Sequence, residues 1–199
     1  MLNIYFSIFL LFYKISLSFS KNNTEKIIII IRHAEKISDD YTDLSPRGNA
    51  RAECLPNLFS ESGLNIIPSK LYSNKRNENT TRAYDTIYPL AKKLNLQIEE
   101  FEKSQAEYFA NTTLYEDEHD VILVSSTHGI IPKITKILGH EIILEEEEFD
   151  RYFIWKNGEF YSEGNQSEFI GKCIEEYLNN FFLKENFIKL FIGLLLLIL

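Results

Sequence analysis

Ile27-Ile28-Ile29-Ile30-Ile31-Arg32-His33-Ala34-Glu35-Lys36 is the stretch that decides the fold. An unbroken β-branched run reads as a strand buried on both faces, central in a parallel sheet. Downstream, Val121-Ile122-Leu123-Val124 leads through Ser125-Ser126-Thr127 into His128-Gly129. Two buried-type strands therefore each deliver a histidine just past their C-terminal ends. In open α/β sheets that edge is where ligands bind. A histidine beside an arginine there points to nucleophilic chemistry on an anion.

Working outward, Ser45-Pro46 predicts a helix start, with Ser as N-cap and Pro at the first helical position. The helix is expected to reach Phe59 and to turn Ala50, Leu55, Leu58 and Phe59 to the sheet. Leu71-Tyr72 fits a short second strand. Residues 82–94 have helical spacing, and Pro89 within them predicts a kink or two pieces. Residues 97–102 read as a third, more exposed strand, and residues 130–138 as a helix stopped by Gly139. Residues 149–155 and 159–161 form an expected hairpin about Asn157-Gly158. Residues 168–199 are expected to be helical. Strands alternating with helices define the fold class as α/β, a three-layer sandwich whose central, mostly parallel sheet carries helices on both faces. One domain is expected over residues 24–178.

The chain has 199 residues, 45% hydrophobic and 14% aromatic, with a formal charge of −8. That size and composition suit one domain with a real core, and the acidic balance argues against a nucleic-acid partner. The acidic run Glu145-Glu146-Glu147-Glu148 reads as a solvated loop or strand edge. An apolar block at 4–13 followed by Ser18-Phe19-Ser20 predicts a signal peptide over residues 1–20, and hence a secreted or membrane-associated protein. Sequons at Asn22, Asn79, Asn111 and Asn165 fit a glycoprotein. Cys54 and Cys173 read either as one disulfide or as two separate buried thiols. The hydrophobic tail at 181–199 is too short in its uncharged part to span a bilayer. It is expected to associate with a membrane, as a surface helix or as an anchor signal with Asn179 or Asn180 as the attachment residue, the alternative being a helix that lies on the domain. Oligomeric state has no signature in the sequence.

The segments between the two histidines add Leu44-Ser45-x-x-Gly48-x-x-Arg51-Ala52 and Arg82-x-x-x-Thr86. Together with Arg32-His33-Ala34-Glu35-Lys36 and His128-Gly129, this ordered set resembles the histidine phosphatase superfamily, of phosphoglycerate-mutase-like fold. The resemblance runs over residues 27–139. It implies that His33 is the nucleophile that accepts a phosphoryl group, and that Arg32, Arg82 and His128 grip its equatorial oxygens. Phosphoryl transfer is catalysed mainly by positioning and charge stabilisation, which fixed cations supply. Arginine suits the task because its planar fork stays charged and binds two oxygens. Lys36 lines the pocket mouth or faces water, Arg51 makes a structural ion pair, and His119 and His140 are surface residues. The four histidines show no zinc spacing, so no metal or cofactor is expected.

The general acid is the open position. Some members of the resembled family carry an aspartate directly after the second histidine, where this chain has Gly129. Others place a glutamate in the loop after the third strand, where Glu107 is nearest. Glu35 is a third option, and the absence of any acid a fourth. The resulting expectation is a phosphatase acting on small phosphorylated substrates through a phosphohistidine. The alternatives are a phosphate-binding pseudoenzyme with little or no turnover, a phosphomutase, and a membrane-surface interaction module.

Overall fold

The computed structural model describes residues 25–38 and 40–198. The leader expected at 1–20 and the sequon at Asn22 lie outside them. The isoleucine run becomes β1 (Ile27–Arg32), buried at every position. Chain order continues with α1 (Pro46–Leu58), β2 (Lys70–Asn74), α2 (Arg82–Leu94) and β3 (Ile98–Phe101). An irregular helical stretch at 103–116 precedes β4 (Val121–Ser126) and α3 (Ile131–Ile137). The hairpin β5 (Arg151–Lys156) and β6 (Glu159–Asn165) leads into the long α4 (Ser167–Ile198).

The strands form one six-stranded sheet in the order β3-β2-β4-β1-β5-β6. The first four are parallel, and the hairpin adds antiparallel strands beside β1. Successive side chains of a strand alternate between faces, so β1 serves two cores at once. Ile28 and Ile30 pack with Ile122, Val124, Phe153 and Trp155 under α3 and the 103–116 stretch. Ile27, Ile29 and Ile31 pack with Leu71 and Leu123 under α1, α2 and α4. These two cores are the physical content of the three-layer sandwich.

Local chemistry sets the boundaries. Ser45 caps α1 by accepting the Gly48 N–H at 3.0 Å, with Pro46 opening the first turn. Asn157 and Gly158 both take positive φ, 50° and 85°, which the two-residue hairpin turn requires. The two pieces offered as one outcome of Pro89 are a correction, because α2 runs unbroken past that residue. Ile87, Leu90 and Ala91 hold α2 to the sheet, and the partly exposed Pro89 leaves its weakened turn accessible to water.

The cysteines are paired: Cys54 of α1 bonds Cys173 of α4 across 119 residues. A cross-link closing so long a loop disfavours the unfolded chain by about 4–5 kcal/mol. It pins the start of α4, whose Ile170 and Ile174 are buried in the core beneath α1. Beyond that point Phe182, Leu183, Phe187 and Ile188 are exposed. No helix among the described residues is long and apolar enough to cross a membrane.

Candidate active site

Parallel pairing of β1 with β4 sets Arg32 opposite Ser126, so both histidines leave the sheet at the same edge. The His33 N–H donates to the Ser126 carbonyl at 2.9 Å, extending the ladder one residue into the site. β2 ends at that edge too, and brings Asn74. The His33 ring is 3% exposed, with Nδ1 2.8 Å from the Ala34 carbonyl. A carbonyl only accepts, so this contact places the proton on Nδ1 and leaves the lone pair on Nε2. Burial, and then the Arg32, Arg82 and Lys36 charges, push the imidazole from its ordinary 6.5 down to about 3, against the Ala34 hydrogen bond. His33 is therefore neutral at physiological pH, the form that can attack phosphorus.

The same shift makes a stability prediction. Between pH 6.5 and about 3 the unfolded chain binds a proton that folded His33 refuses. Stability is thus unaffected by this residue above pH 6.5 and falls below it, by about 1.4 kcal/mol per pH unit at full slope. Replacing His33 with Gln should flatten the acid limb of a denaturant-midpoint curve over that window. Parallel wild-type and variant curves would refute the assignment.

Arg32 is 1% exposed and stacks 4.0 Å from the Phe149 ring. Its Nη1 donates to the carbonyls of Glu145 at 2.8 Å and Glu148 at 3.3 Å. Its Nε and Nη2 are buried and make no hydrogen bond. Leaving buried donors unpaired is costly, and more so when the group is charged. Asn74 repeats the pattern. Its Oδ1 accepts from Ser126 Oγ at 2.9 Å and from the Thr127 N–H at 3.0 Å. That backbone donor fixes the amide orientation and leaves Nδ2 buried without an acceptor. The site thus holds three buried N–H-bearing atoms that make no hydrogen bond, with the Glu146 carboxylate 3.9 Å from one of them, Arg32 Nη2.

Arg82 is braced from below, by Thr80 Oγ1 on Nε at 3.2 Å and by the Ser38 and Tyr41 carbonyls on Nη1 at 3.3 and 3.4 Å. Lys103 joins the cationic field, its ammonium disfavoured by burial and then by the charge of Arg82. Neither Asn74 nor Lys103 carried a sequence signal beyond position. Asn74 closes a strand at the ligand edge, and Lys103 begins the stretch after β3.

The motif residues behind the site explain one another. The Ala34 N–H donates to Thr86 Oγ1 at 2.8 Å, and Thr86 in turn donates to the Arg82 carbonyl at 2.7 Å. This ties the first turn of α2 to the residue after His33. Gly48 lies so close to the Glu35 backbone that a Cβ would sit 2.2 Å from the Glu35 carbonyl oxygen. Only glycine lets α1 dock there. Arg51 then clamps Glu35 with Nε and Nη2 at 2.9 and 2.6 Å and reaches Asp150 at 2.5 Å. Both Glu35 oxygens are engaged in this structural pair. Because Arg51 is 4% and Glu35 16% exposed, Arg51→Leu leaves a largely buried carboxylate with the half-exposed Arg47, at 3.5 Å, as its remaining cation. We expect a loss of about 3–5 kcal/mol in a urea melt. A loss under 1 kcal/mol would mean that the pair is not structural.

The acidic run is the main departure from the sequence reading. Residues 145–148 are not merely a solvated loop, since their carbonyls hold Arg32 and Glu146 reaches into the site. Glu146 Oε1 lies 2.5 Å from Lys36 Nζ and 3.9 Å from Arg32 Nη2, and its Oε2 lies 3.2 Å from His128 Nε2. His128 is 43% exposed and Glu146 51%. His33, Arg32, Arg82, Lys36 and His128 are therefore brought to one place. Glu107 is exposed, and among the described residues no hydrogen bond or ion pair ties it to them. His119 pairs with Asp117 at 2.6 Å, and His140 stacks on Phe160 with ring centroids 4.0 Å apart. Among the described residues no group of three or more His, Cys, Asp or Glu is placed to hold a metal.

No family model matches the sequence, and no curated protein matches it. Solved structures do. The protein histidine phosphatase SixA, determined with tungstate, aligns at a TM-score of 0.51 and 16% identity over 71% of this chain and 98% of that one. A candidate alpha-ribazole-5'-P phosphatase from Escherichia coli K-12 aligns at 0.51 and 14% identity, over 71% and 97%. The chain has the fold of the histidine phosphatase superfamily, a phosphoglycerate-mutase-like α/β sandwich.

Proposed function

We propose that this chain is a phosphatase that hydrolyses phosphomonoesters through a phosphohistidine at His33. One observation carries the reading. A buried, neutral imidazole with its Nδ1 proton tied to Ala34 stands beside a buried Arg32 whose Nε and Nη2 make no hydrogen bond. A phosphoryl group supplies the missing acceptors, with Arg32, Arg82, His128 and Asn74 on its oxygens and Nε2 of His33 in line with the ester bond. Small phosphorylated compounds are the substrate class. Two solved structures sharing the fold, the protein histidine phosphatase SixA and the candidate alpha-ribazole-5'-P phosphatase, lend support.

Gly129, together with the exposure of Glu107, favours a second reading, a phosphate-binding pseudoenzyme. The two part in one assay on the full chain. With an aryl phosphate, the phosphatase releases phenol in a burst and yields an acid-labile, base-stable phosphoprotein. The pseudoenzyme shows neither, yet vanadate at a hundred times its Kd raises stability by about 2.7 kcal/mol.

We also place the protein in the secretory pathway, extracellular or at a membrane. The Cys54–Cys173 disulfide suits an oxidising compartment. The sequons at Asn79, Asn111 and Asn165 are exposed and open to glycosylation. The exposed apolar side chains near the end of α4 suit a membrane surface.

A further inference from the structure

We propose that Glu146 is the general acid and base of the reaction, supplied by the 145–148 loop in place of a residue after His128. The inference rests on the phosphatase reading. Its ground is that Glu146 already occupies the charges a phosphoryl group needs, bonding Lys36 from the segment after β1, His128 from the segment after β4, and approaching Arg32 from the end of β1. A substrate phosphate taking those cations must displace the carboxylate, and the shortest displacement leaves it beside the ester oxygen at the mouth. Side-chain exposure of 51% lets it exchange protons with water.

The cations govern its proton. The Lys36 hydrogen bond first, and then His128, Lys36 and Arg32 as charges, hold Glu146 below the usual carboxylate range. Glu147 and Glu148 are the other charges of its loop that act on Arg32, and Arg82 acts from α2. Once a phosphate draws Lys36, His128 and Arg32 to itself, Glu146 loses its opposite charges and gains an anionic neighbour. Both changes favour the protonated acid. A monoester with a second pKa near 6 brings that proton as its monoanion.

The step then balances. The Nε2 lone pair of His33 forms the N–P bond as the P–O ester bond breaks. The electron pair goes to the ester oxygen, which takes the Glu146 proton and departs as the alcohol. Glu146, now a carboxylate, accepts a proton from water as the water oxygen bonds phosphorus. The N–P bond breaks, and its electrons return to His33. Phosphate leaves with the proton, and the carboxylate falls back onto Lys36 and His128.

Glu146→Gln in the full chain tests this by first-turnover rates on two substrates, p-nitrophenyl phosphate and glycerol phosphate. Glu147→Gln on the same loop is the control. The nitrophenolate needs no acid, whereas the alkoxide does. We expect the variant to phosphorylate His33 from the aryl ester within about threefold of wild type, but from the alkyl ester about 10²- to 10⁴-fold more slowly. The alkyl ester should also lose the alkaline fall of its rate profile. An unchanged aryl-to-alkyl ratio overturns the inference, including the case in which inorganic phosphate merely inhibits more tightly because a plug has been removed. A Glu147→Gln variant with the same substrate split also overturns it. A wild type that never phosphorylates on either ester overturns the phosphatase reading itself, a distinct result.

Discussion

His33→Ala is expected to abolish turnover of aryl phosphate, lowering the first-turnover rate on the order of 10⁴- to 10⁶-fold and eliminating the phosphoprotein. The size follows from the architecture. The other histidine of the edge where β1 and β4 end, His128, is 43% exposed with its Nε2 3.2 Å from Glu146, and the Ser126 hydroxyl there is bonded to Asn74. The variant should still bind phosphate, since Arg32, Arg82 and Asn74 come from three separate elements and do not depend on the imidazole. A thermal-shift titration with phosphate checks that the fold and the anion site survive. Retention of a phosphohistidine in the variant would move the nucleophile elsewhere and sink the assignment.

Arg32→Lys is expected to cost about 10²- to 10³-fold in kcat/KM, the scale of losing an oriented donor at the transferred group. Lysine keeps the charge but not the planar fork. It cannot present two parallel N–H groups in place of Nε and Nη2, nor stack at 4.0 Å on Phe149. It also withdraws the donor shared by the Glu145 and Glu148 carbonyls, so the 145–148 loop should loosen. Steady-state kinetics together with phosphate inhibition separates the effects. A loss in kcat with little change in phosphate affinity marks the clamp as acting on the transition state. A change under threefold in both would show that the unpaired donors of Arg32 do not receive the phosphoryl group.

Much of the fold was legible because its signals are local. The isoleucine run declared a strand buried on both faces, and it packs into both cores. Ser45-Pro46, Gly139 and Asn157-Gly158 declared their boundaries through backbone chemistry that needs no tertiary partner. Of the two outcomes offered for Pro89, the break into two pieces does not occur, because the penalty of a helical proline is local while the packing that outweighs it is not. At the site, the placement of Arg32, His33 and His128 at one edge followed from strand direction alone. The ion-pair role expected for Arg51 was also readable, although its partners were not.

The sequence by itself determined the order and type of the elements other than the helical stretch at 103–116, which reads there as a loop, and that two histidines and an arginine meet at the carboxyl edge. Periodicity, caps and strand polarity act over a few residues and survive without knowing how the chain closes. Tertiary structure alone decided that Cys54 meets Cys173, that Glu35 belongs to Arg51, that Asn74 turns an unpaired amide into the site, and that Glu146 meets Lys36 across 110 residues. Each of those contacts depends on loops brought together by the two cores. A run of four glutamates looks the same in sequence whether it faces water or covers a cation cluster. Only folding places its second member on Lys36 and His128.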